Sequence, residues 1–142
     1  MEVKKIIIIN KLNQLDRIQQ FLEQLGTEWS LDPGVVFELN LVLEEHISNL
    51  LFYAYSDQAK HEISVEIERH GTQLKIVVSD DGREFNFLEL PDNTEINKPL
   101  EERKIGGLGI HFIKTLMDHL EYKSDGKTNR LIMVKKLTSG MP

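Results

Sequence analysis

Cysteine is absent from the chain, which excludes disulfides, thiolate metal sites and thiol nucleophiles. The apolar runs are only a few residues long, far short of the ~20 residues that cross a bilayer. Lys4 and Lys5 precede just four isoleucines, which does not make a signal peptide, so we expect a cytoplasmic protein without a membrane partner. Lys and Arg number 17 against 23 Asp and Glu, a formal net charge of −6. Such a chain lacks the basic surface that direct nucleic-acid binding needs.

The 142 residues fit one ordinary domain, 1–142, with its own core, and 40% hydrophobic with 28% charged residues indicates a soluble globular chain. Periodicity and turn residues predict strands at 4–10, 61–70 and 74–80, helices at 11–29, 31–55 and 107–119, and a hairpin at 120–137 around Asp125 and Gly126. Sequential strand pairs with separate helices indicate an α+β fold, a two-layer α/β sandwich whose mixed, mostly antiparallel sheet has helices on one face.

The helix at 31–55 begins with a strong signal, Asp32 as N-cap and Pro33 in the first turn. At ~100° per residue, a narrow stripe forms the core face. This stripe contains Val36, Leu39, Leu43, Ile47, Leu50 and Ala54. Glu38, Glu45 and Asn49 form a polar line on the opposite side. A lone glutamate there usually marks a solvated face, but the line is bordered by Leu41, Val42, Phe52 and Tyr53.

Glu45 and Asn49 lie four residues apart on this helix, so they point the same way and can act on one ligand. A carboxylate can accept a proton or orient a nucleophile. An asparagine carbonyl oxygen is a hard, neutral ligand suited to magnesium. His46 points ~100° away from Glu45, and we interpret it as structural or interfacial.

The strand at 74–80 ends in an aspartate on its buried face. Leu74, Ile76 and Val78 share one face, and Asp80 continues that even-numbered set while Asp81 points the other way. Two readings stay open for Asp80: a cap of the turn to Gly82, or an acceptor for the N–H donors of a ligand, such as an exocyclic amine.

Gly106, Gly107 and Gly109 precede a helical pattern, with Leu108 between them. The first N–H groups of a helix lack internal partners and carry partial positive charge, and glycine lets a phosphate approach that backbone. A plain structural turn is the alternative. Lys98, Arg103 and Lys104 lie just upstream, either as phosphate-binding cations or as ordinary loop charges.

Glu-x-x-x-Asn on a helix, then strand-Asp-x-Gly, then a long loop that ends in Gly-Gly-x-Gly and a helix resembles the GHKL ATP-binding superfamily with its Bergerat fold. The resemblance covers nearly the whole chain. It is strongest to the stand-alone bacterial anti-sigma-factor serine kinases, through "LVLEEHISNLLFYAY", "VSDDGREFNF" and "IGGLGIHFIKTLMDHLEY".

The resemblance implies an ATP site between helices and sheet, closed by a lid at about 82–106. In this family an aspartate binds the adenine amino group, and it corresponds to Asp80, with Gly82 beside it. An asparagine of the family ligates Mg²⁺, and it corresponds to Asn49. The acidic base or polariser corresponds to Glu45. The second glycine box corresponds to Gly106, Gly107, Leu108 and Gly109, and the lid cation to Arg103 or Lys104. One position departs: Glu84 stands where the first box usually has its second glycine.

The resemblance therefore predicts an ATP- and Mg²⁺-dependent protein-serine kinase of the anti-sigma type. The implied substrate is a serine on a STAS-domain antagonist, with a sigma factor or other regulator as a second partner and homodimerisation as a family expectation. Glu84 keeps an alternative open, a nucleotide-binding switch module without phosphoryl transfer. A detached histidine-kinase catalytic domain is less consistent, since no phosphoacceptor helix hairpin precedes the predicted fold.

Overall fold

The structure is a computed structural model that describes residues 1–89 and 107–137. Five strands and three α-helices follow one another as β1 (Glu2–Ile9), α1 (Leu15–Glu28), α2 (Pro33–Tyr53), β2 (Glu62–His70), β3 (Gln73–Asp80), α3 (Gly107–Leu116), β4 (His119–Ser124) and β5 (Asn129–Lys136). The strands form one sheet in the order β1-β2-β3-β5-β4. The predicted α+β fold is confirmed.

The sheet follows from alternation along β2 and β3. Antiparallel register places Val65 opposite Val78 and Ile67 opposite Ile76, and these four side chains are fully buried. They meet the apolar faces of the helices in one core. Each of the four strand pairings in the described residues is antiparallel, so the parallel pairing that a mixed sheet would contain does not occur there.

Helix α2 is the central helix and packs against both α1 and α3. It begins as predicted: the Asp32 side chain accepts a hydrogen bond from the Gly34 N–H at 2.8 Å, and Pro33 occupies the first turn. The predicted core stripe is buried from Leu39 to Ala54, while Val36 at its start is only partly buried. None of the helices in the described part of the chain is long and apolar enough to cross a membrane.

Two predicted helix boundaries were wrong. The predicted 107–119 helix stops at Leu116, because the chain joins the sheet directly after it: the Asp118 N–H donates to Val134 O at 2.8 Å, and Asp118 Oδ2 accepts the Lys136 N–H at 2.7 Å. The predicted 11–29 helix begins only at Leu15, after a short 3₁₀ turn at Leu12–Gln14. In both places hydrogen bonds outside the α-helix replace the helical turn that periodicity suggested.

Candidate functional site

The polar line predicted on α2 separates into different environments. Glu38 forms an ion pair with Lys135 of β5, at 2.9 Å between Oε1 and Nζ. Glu45 is half-buried, and this burial, followed by repulsion from Glu44, raises the pKa of its carboxyl group. Asn49 is fully buried. The line is therefore not a uniformly solvated face: Glu38 is ion-paired, Glu45 is half-buried and Asn49 is buried.

The side-chain amide of Asn49 lies in the interior, and in the part of the chain that the structure describes neither Nδ2 nor Oδ1 has a hydrogen-bond partner. An unpaired buried donor or acceptor costs about 1–3 kcal/mol, so an asparagine kept in this position requires an explanation. A bound cation, ligand or water supplies one. The donor chemistry fits magnesium, which takes hard oxygen ligands.

Asp80 ends β3 on the buried face, as strand parity predicted, and is 5% exposed. Its Oδ1 accepts two hydrogen bonds, from the Gly82 N–H at 2.9 Å and from Asn129 Nδ2 at 3.0 Å. Burial raises the pKa of the Asp80 carboxyl group, while these two hydrogen bonds oppose the rise. The turn-capping reading is thus confirmed for Oδ1. Within the described residues Oδ2 receives no hydrogen bond, so it keeps its capacity to accept one from a ligand.

Gly82 brings the end of β3 against the end of α2. A Cβ atom at Gly82 would lie 2.6 Å from the Ala54 carbonyl oxygen and 2.7 Å from the Ala54 Cβ. The next N–H, that of Arg83, donates to the same carbonyl at 2.7 Å. This close approach holds the end of β3, which carries Asp80, against the C-terminal part of α2, which carries Asn49. Only glycine leaves room for it.

Residues 83–89, the strap, begin the predicted lid and pack onto α2. Phe85 stacks on Tyr53 with ring centroids 6.4 Å apart, and its N–H donates to the Tyr122 hydroxyl at 3.0 Å. Phe87 is buried and meets His46 edge-on at 5.6 Å. The described start of the predicted 82–106 lid is therefore held by aromatic contacts, and residues 90–106 lie outside the described residues.

His46 occupies the core between α2 and the strap, which confirms the structural reading of this histidine. It is 2% exposed, and its Nδ1 has no hydrogen-bond partner among the residues described. Burial lowers the pKa of His46 to about 4, so the ring is neutral at pH 7.

Asp81 points to the opposite side of the sheet from Asp80, as predicted, and is exposed. The His61 ring bridges two carboxylates, with Nδ1 3.0 Å from Asp81 Oδ1 and Nε2 2.8 Å from Asp57 Oδ1. These hydrogen bonds raise the pKa of His61. The bridge ties the loop between α2 and β2 to the end of β3.

The glycine box is only partly described. Gly107 is the first residue of α3, and Leu108 and Gly109 follow in its first turn, so the predicted helix start is confirmed. Their contact with phosphate stays a prediction. Gly106, Arg103 and Lys104 lie outside the described residues, as does Lys98.

Two cavities lined by described residues border the candidate site. One of about 320 Å³ reaches Asp80 and Asp81 from the sheet face that carries Ser64 and Ser79. The other, about 620 Å³, lies beside the strap and Tyr122. Neither has Glu45 or Asn49 among its described lining residues. The described contacts thus join Asp80 and Gly82 to each other and to the end of α2, but they do not place Glu45 and Asn49 in one open cavity with Asp80.

Asn129, the first residue of β5, was missed by the sequence analysis. It is 3% exposed and bonds both Asp80 and the Gly82 carbonyl oxygen. β5 pairs with β3 across the insertion of α3 and β4, with Asn129 directly opposite Asp80. Local periodicity carries no signal for a pairing at that sequence separation; only the correct strand order would have shown it.

The comparisons with known proteins agree with this fold. Residues 8–135 match the model of the histidine kinase-like ATPase domain family. A serine-protein kinase RsbW of Bacillus mycoides (strain KBAB4) is 32% identical over 91 residues, which cover 62% of this chain and 56% of that protein. An RsbW of Bacillus cereus (strain ATCC 10987 / NRS 248) is 31% identical with the same coverage. The chain thus matches somewhat more than half the length of these relatives.

Solved structures show the same fold at lower identity. The histidine kinase domain of the blue-light activated histidine kinase from Erythrobacter litoralis EL346 superimposes with a TM-score of 0.54 at 17% identity, covering 89% of this chain and 61% of that chain. The Acinetobacter baumannii histidine kinase AdeS gives a TM-score of 0.51 at 12% identity, covering 98% and 70%. The fold, the extent of the family match and the RsbW relatives lead to one conclusion: the chain belongs to the histidine kinase-like ATPase domain family.

Proposed function

We propose that this protein is an ATP-dependent protein-serine kinase of the anti-sigma type, which phosphorylates a serine on a STAS-domain antagonist protein. The relatives named serine-protein kinase support the activity. The observation that carries the proposal is the buried Asn49 amide, which has no hydrogen-bond partner in residues 1–89 and 107–137 and lies one helical turn after the half-buried Glu45. A purely structural helix would gain by having an apolar side chain at that position.

Three groups of this chain would hold Mg²⁺ and ATP. Asn49 would offer its amide oxygen to Mg²⁺. Asp80 would accept a hydrogen bond from the adenine amino group through Oδ2, which no described residue occupies. The N-terminus of α3, from Gly107 to Gly109, would donate backbone N–H groups to phosphate, joined by Arg103 or Lys104. Bound MgATP would supply the phosphoryl group and neutralise part of its charge.

Glu45 would act as the base that accepts or orients the proton of the substrate serine. Its half-burial raises the carboxyl pKa toward the range in which a carboxylate is an effective proton acceptor. Its exposed neighbour Glu44 is an acid of the same type that points elsewhere on the helix. The two adjacent glutamates therefore provide a matched pair for mutagenesis.

Phosphoryl transfer tests the proposal. The purified chain, MgATP labelled on the γ-phosphate and a STAS-domain protein from the same genome should give a labelled STAS protein. We expect Glu45→Gln to lower the transfer rate by ~100-fold, the order that a positioned general base contributes, with ATP affinity retained. Glu44→Gln should transfer at the wild-type rate. Equal rates in both variants would contradict the role of Glu45.

A second candidate function is a nucleotide-dependent switch without transfer. Glu84 favours it, because a charged side chain stands in the second glycine place of the first box. In the structure Glu84 is exposed and borders the cavity beside the strap. ATP binding by the wild type without label transfer to any STAS protein would support the switch and oppose the kinase.

The same proposal includes a homodimer and a second partner, a sigma factor or other regulator. β1 is an edge strand, and its side chains Val3 and Ile7 are 44% and 43% exposed. An exposed, strongly β-prone edge strand requires cover, which a second copy would provide.

A further inference from the structure

Asn129 stands at the centre of a hydrogen-bond network at the end of the sheet. Its Nδ2 donates to Asp80 Oδ1 at 3.0 Å and to the Gly82 carbonyl oxygen at 2.9 Å. Its Oδ1 accepts a short hydrogen bond of 2.6 Å from the Ser124 hydroxyl. Both N–H groups and the carbonyl oxygen of this buried amide are thus used, which fixes its orientation.

The network determines which oxygen of Asp80 remains available. The Gly82 N–H and Asn129 Nδ2 both bind Oδ1, and together they prevent the carboxylate from exchanging its two oxygens by rotation. With respect to the described residues, Oδ2 is left to accept a hydrogen bond. The register supports this arrangement independently, because Asn129 lies directly opposite Asp80 in the β3–β5 ladder.

The network also opposes protonation of Asp80. Burial raises the pKa of this carboxyl group, and the hydrogen bond from Asn129 is the strongest effect that lowers it. The protonation state matters for recognition: a carboxylate only accepts hydrogen bonds, whereas a carboxylic acid also donates. An ionised Asp80 favours a base that presents an amino group and disfavours one that presents a carbonyl oxygen at the same position.

We propose that Asn129 is a positioning residue that holds Asp80 as an oriented, ionised acceptor and thereby sets the preference of the nucleotide site for 6-amino over 6-oxo purines. The inference rests on the proposed binding of ATP. It adds a residue from β5, outside the recognised motifs, to the group that determines specificity. Through the Gly82 carbonyl oxygen, Asn129 also ties Asp80 to the residue that precedes the strap.

The test compares the affinities of ATP and ITP, which differ at the 6-position of the purine, by equilibrium binding from pH 5.5 to 8.5. The wild type should prefer ATP. Asn129→Leu should reduce the ATP-to-ITP affinity ratio by ~tenfold, the order of one charge-assisted hydrogen bond. Its ATP affinity should also begin to fall at a higher pH than that of the wild type, because Asp80 takes up its proton more readily. Asn129→Thr, which restores a donor, should recover part of the ratio.

Two further variants separate this role from a merely structural one. Ser124→Ala keeps the Asn129 amide but removes the hydroxyl that orients it, and should reduce the ratio by about threefold, as expected for a neutral hydrogen bond. Asn10→Ala removes a structural asparagine that bonds Ala59 and the His61 backbone and makes no described hydrogen bond to Asp80, Gly82 or Asn129, and it should leave the ratio unchanged.

An unchanged ratio and pH profile in Asn129→Leu and Ser124→Ala, with wild-type binding of ATP intact, would overturn the inference alone. If Asn129→Leu fails to fold, Ser124→Ala and the pH profile decide. Absence of ATP binding by the wild type would overturn the proposed function and this inference with it.

Discussion

Acidification from pH 7 to pH 4 should destabilise the protein through His46 by about 3 kcal/mol. Burial lowers the pKa of His46 from 6.5 to about 4, and a pKa difference of one unit corresponds to about 1.4 kcal/mol. Between these two values the unfolded chain binds a proton at this position and the folded chain does not. The stability that goes with a neutral His46 ring is therefore fully present above pH 6.5 and is lost as the pH falls from 6.5 to about 4.

Urea unfolding at a series of pH values measures this effect against a variant that cannot titrate. His46→Leu should show no loss from this position, so the difference in unfolding free energy between wild type and variant should change by about 3 kcal/mol from pH 7 to pH 4. His46→Gln, a second variant without a titratable ring, is the control and should show the same pH dependence as His46→Leu. Parallel pH curves for wild type and His46→Leu would show that His46 is accessible to protons in the folded state.

Protonation of His46 also affects the strap. Phe87 packs edge-on against the His46 ring, so protonation there would weaken the contact that holds the strap to α2. Because the folded chain takes up this proton only as the pH falls to about 4, loss of strap packing in the folded protein should appear at the acid end of the window.

Gly82→Ala should destabilise the protein by about 3 kcal/mol, at the upper end of the range for overpacking. The added Cβ would lie 2.6 Å from the Ala54 carbonyl oxygen and 3.1 Å from its carbonyl carbon, and backbone atoms cannot move aside as a flexible side chain can. Relief requires that the end of β3 separate from the end of α2, which breaks the 2.7 Å hydrogen bond from Arg83 to Ala54.

Thermal or urea unfolding of Gly82→Ala, with Gly34→Ala as its control, measures the effect. A Cβ atom at Gly34 would meet only the exposed Asp32 carboxylate, at 3.3 Å, so this variant should stay within about 0.5 kcal/mol of the wild type. Equal stability of Gly82→Ala and the wild type would mean that the strand end and the helix end are not in the close contact described above.

Local signals predicted the elements and faces of this fold well. Asp32 and Pro33 specify the start of α2 through hydrogen-bond capping and a fixed φ, and neither depends on tertiary contacts. Alternation along β3 correctly predicted that Asp80 lies on the buried face, because the alternation of side chains along a strand is also a local property. The predicted end of α3 was wrong because Asp118 forms hydrogen bonds with β5, which is distant in sequence, and so joins the sheet.

The network around Asp80 depends on contacts that periodicity does not report. Asn129 reaches Asp80 only because β5 inserts between β3 and β4, and the aromatic side chains of the strap belong to an irregular segment. Asn49 was singled out from its apolar neighbours, but only the packed structure shows that it is completely buried and lacks a hydrogen-bond partner among the described residues.

Calorimetric titration with ATP, with and without Mg²⁺, on the wild type, Asp80→Asn and Asn49→Leu decides whether these residues form an ATP site. We expect Mg²⁺-dependent ATP binding by the wild type and ~100-fold weaker ATP binding by Asp80→Asn, which loses a charge-assisted hydrogen bond. Asn49→Leu should lose the Mg²⁺-dependent part of the affinity without loss of stability, because it removes a buried amide that has no hydrogen-bond partner among the described residues. Undiminished, Mg²⁺-dependent ATP binding by both variants, or no binding by the wild type, would contradict the account.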